Sequence, residues 1–214
     1  MPPIKHALLG ASSAARWIAC PPSARLTENM EGGSSKYAEE GTKAHEACEY
    51  VLRHNLTGWR KGKFLDKVYD WCVGDGAVTM SMLNAVNQYV NFIYNLWLGF
   101  ASRPSVFIEQ EVNVEQWVPG GFGTCDCLLI GDGILHIIDF KYGQGVLVEA
   151  ENNPQIMLYA LGALCAYDAL YDVDEVAMTI YQPRRENIST WTISIDALKA
   201  WAKEVLTPRA RLAF

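Results

Sequence analysis

Apolar positions recur along this chain with two different periods. Between Ala77 and Phe100, Val78, Met82, Val86, Tyr89, Ile93, Leu96 and Trp97 return every three or four residues, the stripe of an amphipathic helix. Asp75-Gly76 opens that helix and Arg103-Pro104 closes it. Tyr37, Gly41, His45 and Leu52 fall near one face of an earlier helix, which Ser34 or Ser35 caps after Gly32-Gly33 and which runs to about His54. A shorter helix, Ala14–Cys20, starts at Ser12 or Ser13 and stops at Pro21-Pro22. After residue 105 the runs shorten and turn strand-like: Val106–Val114, Cys125–Ile130, Ile134–Lys141, Val176–Gln182 and Thr190–Ile195. Asn152-Asn153-Pro154, a cap followed by proline at the first helical position, starts a helix over Gln155–Leu170, with Gly162 and Ala163 thinning it for close packing. Asp196 is expected to cap a last helix, Ala197–Leu206. The pattern predicts a mixed α/β fold in one domain over residues 1–214. Residues 1–100 are mainly helical, and 101–214 carry a central mixed sheet flanked by helices.

Within that frame, residues 123–141 concentrate polar groups where the pattern expects none. Asp132-Gly133 between two apolar runs signals a two-residue hairpin turn, which pairs Gly131 with Ile134. Counting back sets Asp126 opposite Asp139, with Cβ atoms roughly 4.5–5.5 Å apart, and Lys141 joins the Asp139 face. Opposed like charges destabilise a hairpin. Asp139 also follows Ile134-Leu135-His136-Ile137-Ile138, apolar on both faces like a central strand. Two carboxylates and a lysine at the end of a buried strand suit a hard divalent cation held by oxygen, with an ammonium beside it. Cys125 and Cys127 fall on the hairpin face opposite Asp126, which makes them packing residues. Glu109 and Glu111 share a face of the strand before the hairpin, and Glu111 reads as an ordinary edge charge.

Composition narrows the class. The 214 residues are half apolar, enough for a sizeable core. No run approaches a membrane span and the N-terminus lacks an apolar signal region, so an intracellular, non-membrane protein is expected. The six cysteines lack C-x-x-C spacing and read as reduced thiols. A net charge of −6 disfavours a simple electrostatic nucleic-acid binder but is compatible with a site whose carboxylates are offset by cations. The basic stretch Arg60-Lys61-Gly62-Lys63 with Lys67 is equally a solvated loop or a phosphate contact.

Asp126 followed by Asp139-Phe140-Lys141 resembles the PD-(D/E)XK nuclease core, and more closely its RecB-like branch. Three further motifs stand in that branch's order: Gly41-Thr42-Lys43-Ala44-His45 is similar to its helical G-x-x-x-H, Gly123-Thr124-Cys125-Asp126 to its G-x-x-D, and Gln155-Ile156-Met157-Leu158-Tyr159 to its Q-x-x-x-Y. The stretch from G-T-C-D through D-F-K-Y-G-Q-G-V to N-N-P-Q-I-M-L-Y resembles a phage and prophage exonuclease family within it.

The resemblance implies Mg2+ or Mn2+ held by His45, Asp126, Asp139, the carbonyl of Phe140 and Glu109, as one ion or as two about 3.5–4 Å apart. It also implies that Lys141 orients or deprotonates the attacking water, and that Gln155 and Tyr159 position the scissile strand. The N–H groups at the start of that helix would suit a phosphate. The expected partners are DNA and a single-strand annealing protein, in the cytoplasm of a bacterial host or phage-infected cell. The opening S-S-A-A-R-W-I-A-C-P-P-S is similar to relatives whose cysteine binds an iron–sulfur cluster. Their other three ligands follow the nuclease core, about where this chain ends. No iron–sulfur cluster is therefore expected, and Cys20 reads as a plain core cysteine. Two rival readings remain: a non-catalytic nucleic-acid-binding module on the same sheet, and a metal-dependent hydrolase of a small phosphoester.

Overall fold

The computed structural model describes residues 7–30, 35–60 and 78–214. The expectations placed on Gly32–Ser34, on the basic stretch after Arg60 and on Asp75–Ala77 lie outside those residues. The two long helices of the N-terminal part begin where a side chain closes a free N–H group, whereas the two short ones before them have no side-chain cap. After α1 (Ala14–Ala19) and α2 (Ser23–Leu26), Ser35 Oγ accepts from the amide of Ala38 and starts α3, Lys36–Arg60. This helix outruns the expected end at His54 because Asn55, Gly58 and Trp59 are buried in its last turns. Thr79 caps α4, Met80–Gly99, through the amide of Met82. Met82, Val86, Tyr89, Ile93 and Trp97 form its buried stripe, so that sequence period is the packing period.

Five strands follow in chain order across one sheet: β1 Ser105–Asn113, β2 Phe122–Gly131, β3 Ile134–Phe140, β4 Glu175–Gln182 and β5 Asn187–Ser194. The β3–β4 pair is parallel and the other three pairs are antiparallel. The fold is therefore mixed α/β, a mixed sheet flanked by helices. The β2–β3 turn is the expected one: Gly131 pairs with Ile134, and Asp132 (φ 49°) and Gly133 (φ 76°) both take positive φ. The parallel crossover is α5, Pro154–Tyr167, capped by Asn153 Oδ1 on the amide of Gln155. Gly162 brings α5 against β1, because a Cβ there would lie 2.7 Å from that of Val112.

The chain closes through α6 (Ile195–Trp201), a π-helical segment (Ala202–Leu206) and α7 (Thr207–Ala213). Ser194, not Asp196, caps α6, by accepting from the amide of Ala197. Asp196 sits in the first turn, where its charge suits the helix dipole. The expected stop at Leu206 does not occur. Pro208 falls in the first turn of α7, directly after the π-helical segment.

Helices cover both faces of the sheet. One core joins α3 and α4 to Ile108, Cys127, Leu129, Ile138 and Phe140; the other joins α5 and the terminal helices to Val112, Cys125, Leu128, Ile137 and Ile180. Ile108 and Val112 are an even number of residues apart, as are Cys125 and Cys127, yet each pair divides between opposite cores. The β1–β2 ribbon turns over at one point. Its ladder pairs Ile108 with Cys127 and Gln110 with Cys125 but skips Glu109 and Asp126. No residue is inserted, so this is a kink and not a bulge. The two cysteines are packing residues, as expected, but not on one common face. Cys20 departs further from expectation: it is exposed, beyond the last turn of α1 at Pro21.

Candidate metal centre

The kink in β1 is made by Glu109, whose φ of 48° is left-handed for a residue with a side chain. Such a conformation costs on the order of 1–3 kcal/mol and persists where its surroundings hold it. Arg53 on α3 supplies part of that hold by donating from Nη2 to the carbonyl of Ile108 at 2.8 Å. With the ladder broken here, the side chains of Glu109 and Asp126 meet His45, two turns before Arg53 on α3. Ligand atoms of His45, Glu109 and Asp126 lie within 4.8 Å of one another. His45 Nδ1 is 3.3 Å from Asp126 Oδ1, and Asp126 Oδ2 accepts from the amide of Phe140 at 2.6 Å.

Asp139 belongs to a second group on the α5 side. It is 2 % exposed, with Oδ2 2.7 Å from Lys141 Nζ and no hydrogen-bond partner besides that ion pair. Lys141 Nζ donates to Gln155 Oε1 (3.0 Å), while Gln155 Nε2 donates to Tyr159 Oη (2.9 Å) and reaches Asp139 Oδ1 at 3.4 Å. The ring of Tyr159 in turn lies against Gly123, where a Cβ would sit 2.8 Å from it. That contact explains the glycine of G-T-C-D.

The charges strain one another. Burial, reinforced by Asp126, pushes the Glu109 carboxyl up to about 7. Burial also raises Asp139, which Lys141 only partly offsets and Asp126 adds to. For His45, burial opposes the imidazolium, yet Asp126, Asp139 and Glu109 together draw its pKa above the usual value. Burial is the largest cause at both carboxyls, the neighbouring carboxylates act on all three groups, and a bound cation would relieve that second part.

These groups open on a cleft of about 760 Å³ bordered by Gly41, His45, Glu109, Phe140, Lys141 and Tyr142. Gly41 does not serve close packing, since a Cβ there would meet nothing within 4 Å. It leaves the cleft mouth unobstructed. Seven of the eight expected site residues are thus brought together through side chains, and Phe140 enters through its amide N–H. Glu111 is exposed, and the loop Trp117–Gly121 is tied to the core through buried Val118. The first N–H of α5 is taken by Asn153 and is not free for an anion.

Two contributors had no sequence signal of their own. Arg53 is one, visible only once Ile108 is placed beside α3. Gln182 is the other: buried in β4, it donates from Nε2 to the carbonyls of Gly143 and Val146 and accepts the amide of Val148, bracketing the loop after Lys141.

Among solved structures, one titled "Crystal structure of SSO0001" is 13 % identical over 94 % of this chain and 82 % of that chain. Its TM-score of 0.30 is too low to carry an argument about fold or site. The family comparison is broader, matching residues 6–214 and so the whole of both site halves, and it places this chain in the family described as "Protein of unknown function (DUF2800)".

Proposed function

We propose that this protein is a metal-dependent deoxyribonuclease of the PD-(D/E)XK kind, RecB-like in its motifs, which hydrolyses DNA phosphodiester bonds. Its motif order suits a phage exonuclease acting in recombination or DNA processing beside a single-strand annealing protein. The observation that carries the reading is the convergence of His45, Glu109 and Asp126 beside the Asp139–Lys141 pair, from four separate elements, at a strained point of the sheet.

The donor set fits Mg2+ or Mn2+: two carboxylates and one imidazole, half-buried, beside a buried carboxylate oxygen whose one contact is an ammonium. His45, Glu109 and Asp126 would hold the ion. When bound, such an ion polarises a phosphoryl oxygen and makes water a stronger nucleophile. The remaining groups orient the reactants. An ammonium has three N–H donors. Asp139 and Gln155 engage two on Lys141, leaving one for the scissile phosphate or the attacking water. Tyr159 fixes the amide of Gln155, so the direction of that third donor is set from α5.

The test is digestion of end-labelled linear DNA and of closed circular DNA with Mn2+, against an EDTA control. Metal-dependent loss of the linear substrate supports the reading, and preference for it over the circle supports an exonuclease. Binding of DNA without cleavage under any divalent cation would instead leave a nucleic-acid-binding module.

A further inference from the structure

We infer that the substrate strand passes from the cation group over Thr124 into a second cleft, where Arg16 binds its phosphodiester backbone. This inference rests on the nucleic-acid reading above and adds to it a path and a contact. The second cleft measures about 560 Å³ and lies between the Gly10–Ser13 segment with Arg16 on one wall and Gly123, Thr124 and Tyr159 on the other. Thr124 also borders the metal cleft, so the two depressions meet at one exposed residue.

The cleft is lined by polar and apolar groups in near-equal measure, and its walls are fixed. The Tyr159 ring packs on Gly123, and the near wall is pinned because buried Trp17 donates from Nε1, and Ser13 from Oγ, to the carbonyl of Gly10. The charges sort in one direction. Glu28 on the rim is already held by Arg25 at 3.2 Å. Arg16 is exposed and, among the described residues, has neither an ion pair nor a hydrogen bond. A chain of net charge −6 with a carboxylate-rich centre repels a polyanion, so an uncommitted guanidinium at the exit of that centre has a use. Its planar fork matches phosphate oxygens bidentately. A cleft with the Tyr159 ring on one wall and a cation on the other accommodates a single strand, with a base against the ring and a phosphate at the guanidinium.

The experiment is fluorescence anisotropy with fluorescein-labelled oligothymidylate in Ca2+, using wild type, Arg16→Ala, Arg16→Lys and Arg103→Ala. Arg103 sits at the far end of α4, against Trp97. Arg16→Ala should weaken binding by roughly ten-fold, the scale of one charge-assisted hydrogen bond, and flatten the slope of log affinity against log salt by about 0.7. Arg16→Lys should recover part of the loss, and Arg103→Ala should bind as wild type does. For cleavage, Arg16→Ala should raise KM and leave kcat unchanged. Wild-type affinity in Arg16→Ala, equal losses in Arg16→Ala and Arg103→Ala, or no oligonucleotide binding by the wild type would each overturn the inference. The two readings fail separately. Arg16-dependent binding without any Mn2+-dependent cleavage removes the nuclease and keeps the strand path. Cleavage that ignores Arg16 does the reverse.

Discussion

On the α3 side of the site, His45, Glu109 and Asp126 gather carboxylates with one imidazole between them, and burial, reinforced by Asp126, pushes the Glu109 carboxyl up to about 7. On the α5 side, Asp139, Lys141, Gln155 and Tyr159 form a chain in which each polar group finds the next within 3.4 Å. The first group is short of positive charge and stands on a strained backbone. The second carries its own cation and stands on a regular strand and a capped helix. Groups left uncompensated at a fixed geometry are where a ligand can be gained, while a self-satisfied network can hold orientation. On the proposed nuclease reading, the contrast divides the work, with cation binding on the α3 side and positioning on the α5 side.

The largest break in that division should come from Lys141→Ala. Losing an oriented donor at the reacting group should lower cleavage on the order of 10²- to 10⁴-fold. Because the ammonium is not a ligand, Mn2+ affinity measured by calorimetry should stay within a few-fold of wild type.

Stability against pH sharpens the comparison by separating the site from the core beneath it. His136 is buried in β3, bonded to Thr179 at 2.8 Å, and burial lowers its pKa to about 4. The unfolded chain takes up a proton near pH 6.5 that the folded chain refuses. Stability is therefore full above pH 6.5 and is lost as pH falls towards 4, by at most about 3 kcal/mol. Urea melts of His136→Leu should lack this component, and the pH dependence left over belongs to the site groups.

Gly162→Ala acts where α5 meets β1. Its new methyl would meet Val112 at 2.7 Å, a clash worth about 1–3 kcal/mol in a urea melt. The shift of α5 should reduce cleavage while sparing Mn2+ affinity.

Much of this was legible in the chain because it is local. The Asp132-Gly133 turn set the β2–β3 register, Asn153-Pro154 set the start of α5, and a three-to-four-residue stripe set α4. The spacing of Asp126, Asp139 and Lys141 then followed from counting. What the sequence hid is non-local. The reversal of the β1–β2 ribbon at Glu109 depends on α3 lying beside Ile108, and glutamate gives no hint of positive φ. Opposition of Asp126 and Asp139 on the hairpin suggested two carboxylates facing each other. Instead Asp126 turns to His45 and to the amide of Phe140, and Asp139 turns to Lys141. Alternation along a strand predicts facing only while the ladder is continuous, and here it is broken at the residue that matters.

Calorimetric titration of Mn2+ into metal-free wild type, Asp126→Asn and Asp139→Asn tests the assignment of cation binding most directly. An amide is a much poorer ligand than a carboxylate for a hard cation but keeps the shape. The wild type should bind, Asp126→Asn should show no measurable binding, and Asp139→Asn should bind more weakly than wild type yet measurably. A wild type that gives no binding heat and no rise in melting temperature with Mn2+ would contradict the account.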